Sequence, residues 1–488
     1  MKTNVKSVKF NFIMNFILTV SNFLFPLITF PYVSRILLPD GTGKVAFAIS
    51  VVSYFSIFAS LGVATYGVRA CAQVRDNKDL LSKTVHELLL INVIATMVVY
   101  IFFTFIILTV PRFYAEKELF FVTSIFILFT IIGVEWLYKG LEKYQYITIR
   151  TIIFKLIALI LVFIFVKKKD DYIYFSIISV FAIVGSGLLN LFNARKLIKC
   201  HRYPNYEFRK HIKPMFFLFL TTLSIAIYTS VDEAILGLLS SPKQVGYYNA
   251  AMRVKGILFT LITSLGVVLL PRLSYYVEND MTEEFHSALK KSMNFIVVIA
   301  IPIVIFFMLF AKETILLLAG ENYINAVIPL QIIVWALLLS AITNILGIQI
   351  LLPLKRDKAL LVSVLLAAIV DIIVNLILVP KLAAIGTAIS VILAEFTVLI
   401  VQLLILREYI PILFKELQFI RIGIAIIMAV LVSWGVYKLY FFPSIITTFI
   451  VMSCIFFTVY FILLLILKEN FIIYIYNIIQ YKVFRKFL

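Results

Sequence analysis

Charge is scarce in this chain. Only 14% of its 488 residues are Asp, Glu, Lys or Arg, against roughly 25% in an ordinary soluble domain. A shortage this deep excludes a soluble enzyme and a nucleic-acid-binding domain, because neither could keep its surface in water. Cysteine is scarcer still. Cys71, Cys200 and Cys454 are the three in the chain, without metal-ligand spacing, and a secreted disulfide framework is excluded with them. Histidine is limited to His86, His201, His211 and His286, all in stretches that read as loops. No Walker A, GxGxxG, HExxH or CxxC motif occurs, so neither a metal site nor a catalytic set is expected. The Asp170-Asp171 pair could suggest acidic metal ligation. It follows Lys167-Lys168-Lys169 in a short loop, and reads as a solvated turn.

What the chain has in excess is apolar. Hydrophobic residues make up 63% of it, and the mean hydropathy is +1.07. Fourteen apolar segments follow, each near the ~20 residues that a spanning helix needs. They are Phe12–Val33, Val45–Val63, Leu88–Val110, Leu119–Leu137, Ile149–Val166, Tyr172–Phe192 and Pro214–Leu239, then Tyr247–Leu270, Met293–Phe310, Ala326–Leu352, Ala359–Leu378, Leu382–Leu406, Ile422–Tyr440 and Ile445–Leu467. The runs are continuous rather than alternating, which favours helices over a barrel. The first is too long for a signal-peptide core and reads as an uncleaved span.

Net charge is +19, and its distribution orients the chain. With the N-terminus inside, inner segments hold 30 of the 44 Lys and Arg residues and outer loops 11. The positive-inside rule then places both termini in the cytoplasm. The longest inner loop, Ala194–Lys213, is strongly basic. It reads either as a topogenic linker beside anionic lipid heads or as a contact for an anionic substrate headgroup. After Leu467 the chain mixes aromatic, aliphatic and basic residues (Phe471, Ile472, Tyr474, Tyr476, Ile478, Ile479, Lys482, Arg485, Lys486), as an interfacial helix does. Ile36–Ala48 and Leu238–Ala251 echo one another, each a hairpin with Pro and Gly leading into small residues. Such echoes accompany duplicated halves in transporters.

Ionisable residues within spans face a partner or an aqueous cavity. The candidates are Glu135, Lys155, Asp232, Glu233, Arg253, Lys255, Asp371 and Glu395. Asp232 and Arg253 lie at similar depth, and either pair or leave Arg253 and Lys255 to an anionic ligand. Glu135 and Lys155 are expected to pair or to reach the interface, where Trp136 would also sit. Glu395 looks isolated, and is either a proton-coupling group or a hydrogen-bonded structural acid.

Several strings, taken in order, carry a family resemblance. They are Pro31-Tyr-Val-Ser-Arg35 with Pro39 and Gly43; Tyr66-Gly67-Val-Arg69 with Arg75-Asp76; and Glu135-Trp136-Leu-Tyr-Lys-Gly140-Leu-Glu142-Lys-Tyr144 with Ile147, Arg150 and Lys155. Asp232, Val245-Gly246-Tyr247-Tyr248 and Leu270-Pro271-Arg272 follow. Gly320-Glu-Asn-Tyr323, Asn375 to Pro380, Gly386-Thr-Ala388 and Glu395 complete the set. The chain resembles the Wzx-type lipid-linked oligosaccharide flippases of the MOP exporter superfamily over nearly its whole length. It departs at Lys381–Ile385, where the family often has a further glycine.

The resemblance implies an all-α, MATE/MOP-like integral membrane fold. Two six-helix lobes, 1–205 and 206–410, would be followed by two further helices and a tail, 411–488. The implied cargo is an undecaprenyl-diphosphate-linked oligosaccharide, carried across the bacterial cytoplasmic membrane by alternating access for surface-polysaccharide synthesis. Arg35, Arg253 and Lys255 are the candidate diphosphate contacts. Asp232, Glu395, Glu135 and Lys155 are candidates for ion coupling or intramembrane pairing. No cofactor is expected, and coupling to a proton or sodium gradient stays open. Partners would be the cargo, membrane lipids, a polymerase and a chain-length regulator. A lipid II flippase and a drug/cation antiporter are the alternatives, and the first span lacks the carboxylates an antiporter would place there. A polymerase or ligase is disfavoured by the short outer loops.

The topology has a direct test. Single cysteines placed at Lys243 and Lys312 should react with an impermeant thiol reagent from outside the cell, and labelling solely from the cytoplasmic side would refute the orientation.

Overall fold

Long apolar runs have no water for their backbone amides, so each segment has to satisfy them internally, as a helix does. The computed structural model describes residues 8–199, 201, 203–415, 417–440, 442–473, 476–477 and 480, without the side chains of residues 8, 9, 12, 23, 228, 229, 264, 265, 267 and 268. Among these, every regular element is helical. In chain order they are α1 (Val8–Ser60), α2 (Val63–Val74), α3 (Lys78–Thr109), α4 (Pro111–Tyr114), α5 (Lys117–Ile132), α6 (Glu135–Gly140), α7 (Tyr144–Phe165), α8 (Tyr172–Ala194) and α9 (Arg209–Leu239). There follow α10 (Pro242–Glu278), α11 (Thr282–Leu309), α12 (Ala311–Leu318), α13 (Val327–Asn344), α14 (Asp357–Leu382), α15 (Ala384–Ile405), α16 (Ile410–Phe414), α17 (Phe419–Leu439) and α18 (Ile445–Ile466). A π-helical turn, Ile345–Leu351, extends α13.

Among the described residues, twelve helical stretches are long and apolar enough to cross a membrane. Fourteen were expected, and the difference has two sources. The first two expected spans fall in one continuous stretch, Ile13–Val74. The Tyr247–Leu270 segment lies in α10, which is not among the twelve and contains four of the side chains outside the description. Of the expected interfacial tail, Phe471 meets Phe295 of α11, ring centroids 6.2 Å apart. Tyr474, Ile478, Ile479, Lys482, Arg485 and Lys486 lie outside the described residues, as do Cys200 and Arg202.

Backbone contacts divide the chain into two units, Met1–Gly246 and Tyr247–Leu488. In the first, α1 packs on α3, α5, α7 and α9, while α8 packs on α5 and α7. Short α6 docks on α2. Trp136, expected at the membrane interface, is instead buried in this core with Leu137, Tyr138, Cys71, Val85 and Met215. Gly67 admits it, since a Cβ there would lie 2.6 Å from the indole. The Tyr138 hydroxyl donates to the Asn190 carbonyl at 2.7 Å, and Asn190 Nδ2 to the Gly133 carbonyl at 2.6 Å.

The two echoing segments turn out to touch. The first is not a looped hairpin. The helix is interrupted at one residue, Leu38, with φ 60° and ψ 176°, a conformation that costs an L-residue about 1–3 kcal/mol. The second is a true turn, where Ser240 ends α9 in an extended conformation and Pro242 opens α10. A Cβ on Gly43 would lie 1.7 Å from the Pro242 carbonyl oxygen, and one on Gly246 would lie 2.0 Å from that of Pro39. Two backbones therefore meet with only glycine hydrogens between them, as closely approaching membrane helices do.

In the second unit, α13, α14 and α15 pack together, and α11 packs on α13. Helices α17 and α18 form a pair. It is tied to the rest by Phe306 of α11 among Phe449, Phe456 and Phe457 of α18. The Tyr460 hydroxyl donates to the Val298 carbonyl at 2.8 Å, and that of Tyr437 to Glu313 at 3.0 Å.

The glycine contact predicts a stability effect. Gly43→Ala and Gly246→Ala should each cost more than the about 1–3 kcal/mol of ordinary overpacking, read as a lower melting temperature of the purified protein. Gly423→Ala, where nothing lies within 4 Å of the added atom, should leave it unchanged.

Candidate functional site

A charge within a span is retained where a neighbouring helix answers it, and the second unit contains one such pair. Lys255 of α10 lies 3.4 Å from Glu395 Oε1 of α15, both side chains nearly fully buried. Ser340 of α13 donates its hydroxyl to the same oxygen. Glu395 Oε2 is buried without a hydrogen-bond partner among the described residues. Glu395 is therefore not the isolated carboxylate that its sequence context suggested. Two candidates given separate roles, Lys255 for the ligand and Glu395 for coupling, form one ion pair. Sequence spacing could not reveal this, because 140 residues separate them.

Arg253 stands two residues from Lys255, about 200° around the helix, and so faces elsewhere. Its Nε donates to Asn249 Oδ1 at 2.9 Å. A second polar seam joins α14 to α15. Ser390 donates to Asp371 Oδ1 at 2.7 Å, and Asn375 Nδ2 to the Ser390 hydroxyl at 2.6 Å. Asn375 had been noted only within a motif, and Ser390 not at all.

The first unit contains the other candidates. Asp232 is buried in α9. Arg35 is exposed, three residues before the Leu38 interruption, and donates to the Pro31 carbonyl at 2.5 Å. Glu135 and Lys155, expected either to pair or to reach the interface, do not pair. Glu135 is bound by Lys139 at 3.0 Å, one helical turn away. Lys155 donates to Ser21 Oγ at 3.1 Å and Asn22 Oδ1 at 2.5 Å on α1. Depth explains the difference, since Lys155 lies about 16 Å along α7 from its start at ~1.5 Å per residue.

A polar network centred on buried Glu87 and His211 was missed by sequence reasoning. Glu87 of α3 is fully buried and accepts from His211 Nε2 at 2.8 Å and from the Glu207 backbone amide at 2.7 Å. Lys210 lies 3.4 Å from it. His211 Nδ1 is 2.9 Å from the Tyr66 hydroxyl. Lys83 pairs with Glu207 at 2.7 Å and Lys199 with Asp79 at 2.7 Å. Lys83 holds the Glu207 carboxyl below the usual carboxylate range. The basic linker is thus clasped to α2 and α3, and two of its seven basic side chains, Lys199 and Lys210, are answered by carboxylates of α3. A Glu one turn after Lys83 at the head of an apolar run was the available signal. Asp171, read as part of a solvated turn, accepts the backbone amides of Lys167 and Lys168 at 2.8 and 2.7 Å. Among the described residues, no group of three or more His, Cys, Asp or Glu side chains comes together to hold a metal.

Twelve stretches long and apolar enough to cross a membrane, with polar contacts between them, are the build of a multi-pass membrane protein, and its relatives are named as transporters. The chain belongs to the polysaccharide biosynthesis protein family, whose model matches residues 8–277. The MatE family model matches residues 218–377. A protein of Escherichia coli (strain K12) named "Putative O-antigen transporter" is 27% identical over 359 residues, covering 72% of this chain and 85% of its own. One of the same name from Shigella dysenteriae is 26% identical over 54% of this chain and 67% of its own. Among solved structures, the lipid II flippase MurJ in an inward closed conformation superposes with a TM-score of 0.65 at 17% identity, over 92% of this chain and 99% of that one. An inward-facing multidrug resistance MATE transporter of the MOP superfamily gives 0.61 at 14% identity, over 80% and 96%. These likenesses bear on the fold alone. The expected MOP-like fold and the resemblance to polysaccharide flippases are both borne out.

The Lys255–Glu395 pair has a characteristic mutational signature. Removing either partner alone, Lys255→Met or Glu395→Gln, should destabilise the purified protein by about 3–5 kcal/mol, and the double substitution should recover much of that. Additive losses in thermal melts would show that the two are not coupled.

Proposed function

We propose that this chain is a flippase for polyprenyl-diphosphate-linked oligosaccharides. It moves each repeat unit from the inner to the outer leaflet of a bacterial cytoplasmic membrane, where surface polysaccharide is assembled. The observation that carries this reading is the match to relatives named as O-antigen transporters, which extends over 72% of the chain in one case. Membership of the polysaccharide biosynthesis family supports it. The likeness to MurJ supports the fold such a task needs, without selecting lipid II as the cargo.

In this reading the moving bodies are the lobes 1–205 and 206–410, with 411–488 attached, and both termini lie in the cytoplasm. Arg35 and Arg253 attract the diphosphate, because a guanidinium binds phosphate oxygens bidentately. Lys255 serves through its pair with Glu395. The Lys255–Glu395 pair is the point at which a proton or sodium gradient would act on the transport cycle. A polymerase and a chain-length regulator receive the unit outside.

The test is complementation in a strain lacking the chain. Arg253→Ala should abolish surface polymer at unchanged membrane level, with undecaprenyl-linked repeat units accumulating inside. Arg253→Asp combined with Asp232→Arg should fail to restore export. Restoration by that swap would remove Arg253 from the ligand site and make it a static partner of Asp232. Normal polymer in the null strain would overturn the function itself.

A further inference from the structure

Arg150 is a buried cation of the first unit with two guanidinium nitrogens that have no hydrogen-bond partner among the described residues. Its side chain, on α7, is only 5% exposed. Nη2 donates to the Thr151 hydroxyl at 3.2 Å, while Nε and Nη1 are buried with no hydrogen-bond partner among the described residues. The guanidinium lies over the Tyr146 ring, 5.9 Å from its centroid. Glu135 is within electrostatic reach but is already bound by Lys139. An unanswered cation in an apolar setting is costly unless an acceptor arrives.

Beside Arg150 is a cavity of about 480 Å³, lined also by Gln145, Tyr146, Ile149, Ile153, Phe154 and Leu189. Ile149, Ile153 and Leu189 are about half exposed, so on a membrane-spanning helix they face lipid. Arg150 is six residues into α7, about 9 Å from the Tyr144 end at ~1.5 Å per residue. That depth lies near the boundary between headgroups and hydrocarbon, given ~5–7 Å of polar interface on each side.

We infer that this hollow between α7 and α8 is a binding site for an anionic glycerophospholipid, with Arg150 holding the phosphate and Ile149, Ile153 and Leu189 lining the acyl chains. The chemistry selects this occupant. One guanidinium balances the single charge of a phosphodiester, whereas a diphosphate carries at least two. A zwitterionic head would bring an ammonium for which the lining holds no carboxylate, only the neutral amide of Gln145, since Glu135 is bound by Lys139 and the Tyr146 face lies under the guanidinium. On the proposed topology the lipid belongs to the inner leaflet. The inference does not depend on the cargo.

The experiment is native mass spectrometry of the delipidated full chain titrated separately with phosphatidylglycerol, phosphatidylethanolamine and undecaprenyl diphosphate. Phosphatidylglycerol should bind in preference to phosphatidylethanolamine. Arg150→Gln should weaken it about ten-fold or more, as loss of a charge-assisted hydrogen bond implies. Leu189→Trp, which fills the cavity, should weaken it comparably. Arg195→Gln, at the exposed end of α8, should leave it unchanged. Equal binding by wild type, Arg150→Gln and Leu189→Trp would overturn the site. Equal affinity for the two phospholipids would overturn the selection for an anion. Arg150-dependent binding of undecaprenyl diphosphate that displaces phosphatidylglycerol would reassign the site to a diphosphate lipid. Should Arg150→Gln fail to reach the membrane, Leu189→Trp decides the question, and its binding phosphatidylglycerol like wild type overturns the proposal.

Discussion

Hydrocarbon gives no hydrogen bonds, so a polar or charged side chain placed among spans draws its partners from the protein, from its own helix or from a neighbouring one. That constraint organises both units of this protein. Lys155 is held by a hydroxyl and an amide of α1, and Lys255 by Glu395, which in turn accepts from Ser340. Asp371 draws on Ser390 and Asn375. Glu87 collects a histidine, a lysine and a backbone amide. Each contact joins segments that apolar packing alone would leave free to slide, because lipid is as apolar as the faces it would replace. Polar partners thus specify register where hydrophobicity cannot.

Helical class, approximate spans and family were all legible in the sequence, since continuous apolar runs and ordered motifs are local signals. Partnerships were not. The run from Phe12 to Val63 reads as two spans and a hairpin, yet a single residue, Leu38, interrupts the helix. Backbone angle at a leucine has no sequence signature. Trp136 carried an interfacial residue type and is buried, because its place depends on the absence of a side chain at Gly67, some seventy residues earlier. Glu395 looked isolated for a similar reason. Its partner Lys255 comes from a helix remote in the chain, and nothing local marks the pairing.

The basic linker shows how composition can mislead about partners. Seven Lys and Arg residues between Ala194 and Lys213 suggested lipid heads or an anionic cargo. Lys199 and Lys210 are instead engaged by Asp79 and Glu87. The Glu87–His211–Tyr66 chain fastens the start of α9 to α2 and α3. Charge counted along the sequence overstates the charge offered to a ligand, and Arg150 makes the converse point. One arginine whose Nε and Nη1 have no hydrogen-bond partner among the described residues is more informative than a run of seven, because its environment leaves it something to attract.

The meeting of Gly43 with Gly246 has a consequence for how this protein can change over time. Most packing faults can be relieved by shrinking the neighbour, so a bulky substitution at one position opens a route to a compensating one opposite. Here the opposing atoms are the carbonyl oxygens of Pro242 and Pro39, which belong to the main chain and stay whatever residue is encoded. The residue across the contact is already the smallest available. No second-site replacement at the partner can make room, and each glycine is therefore fixed independently of the other.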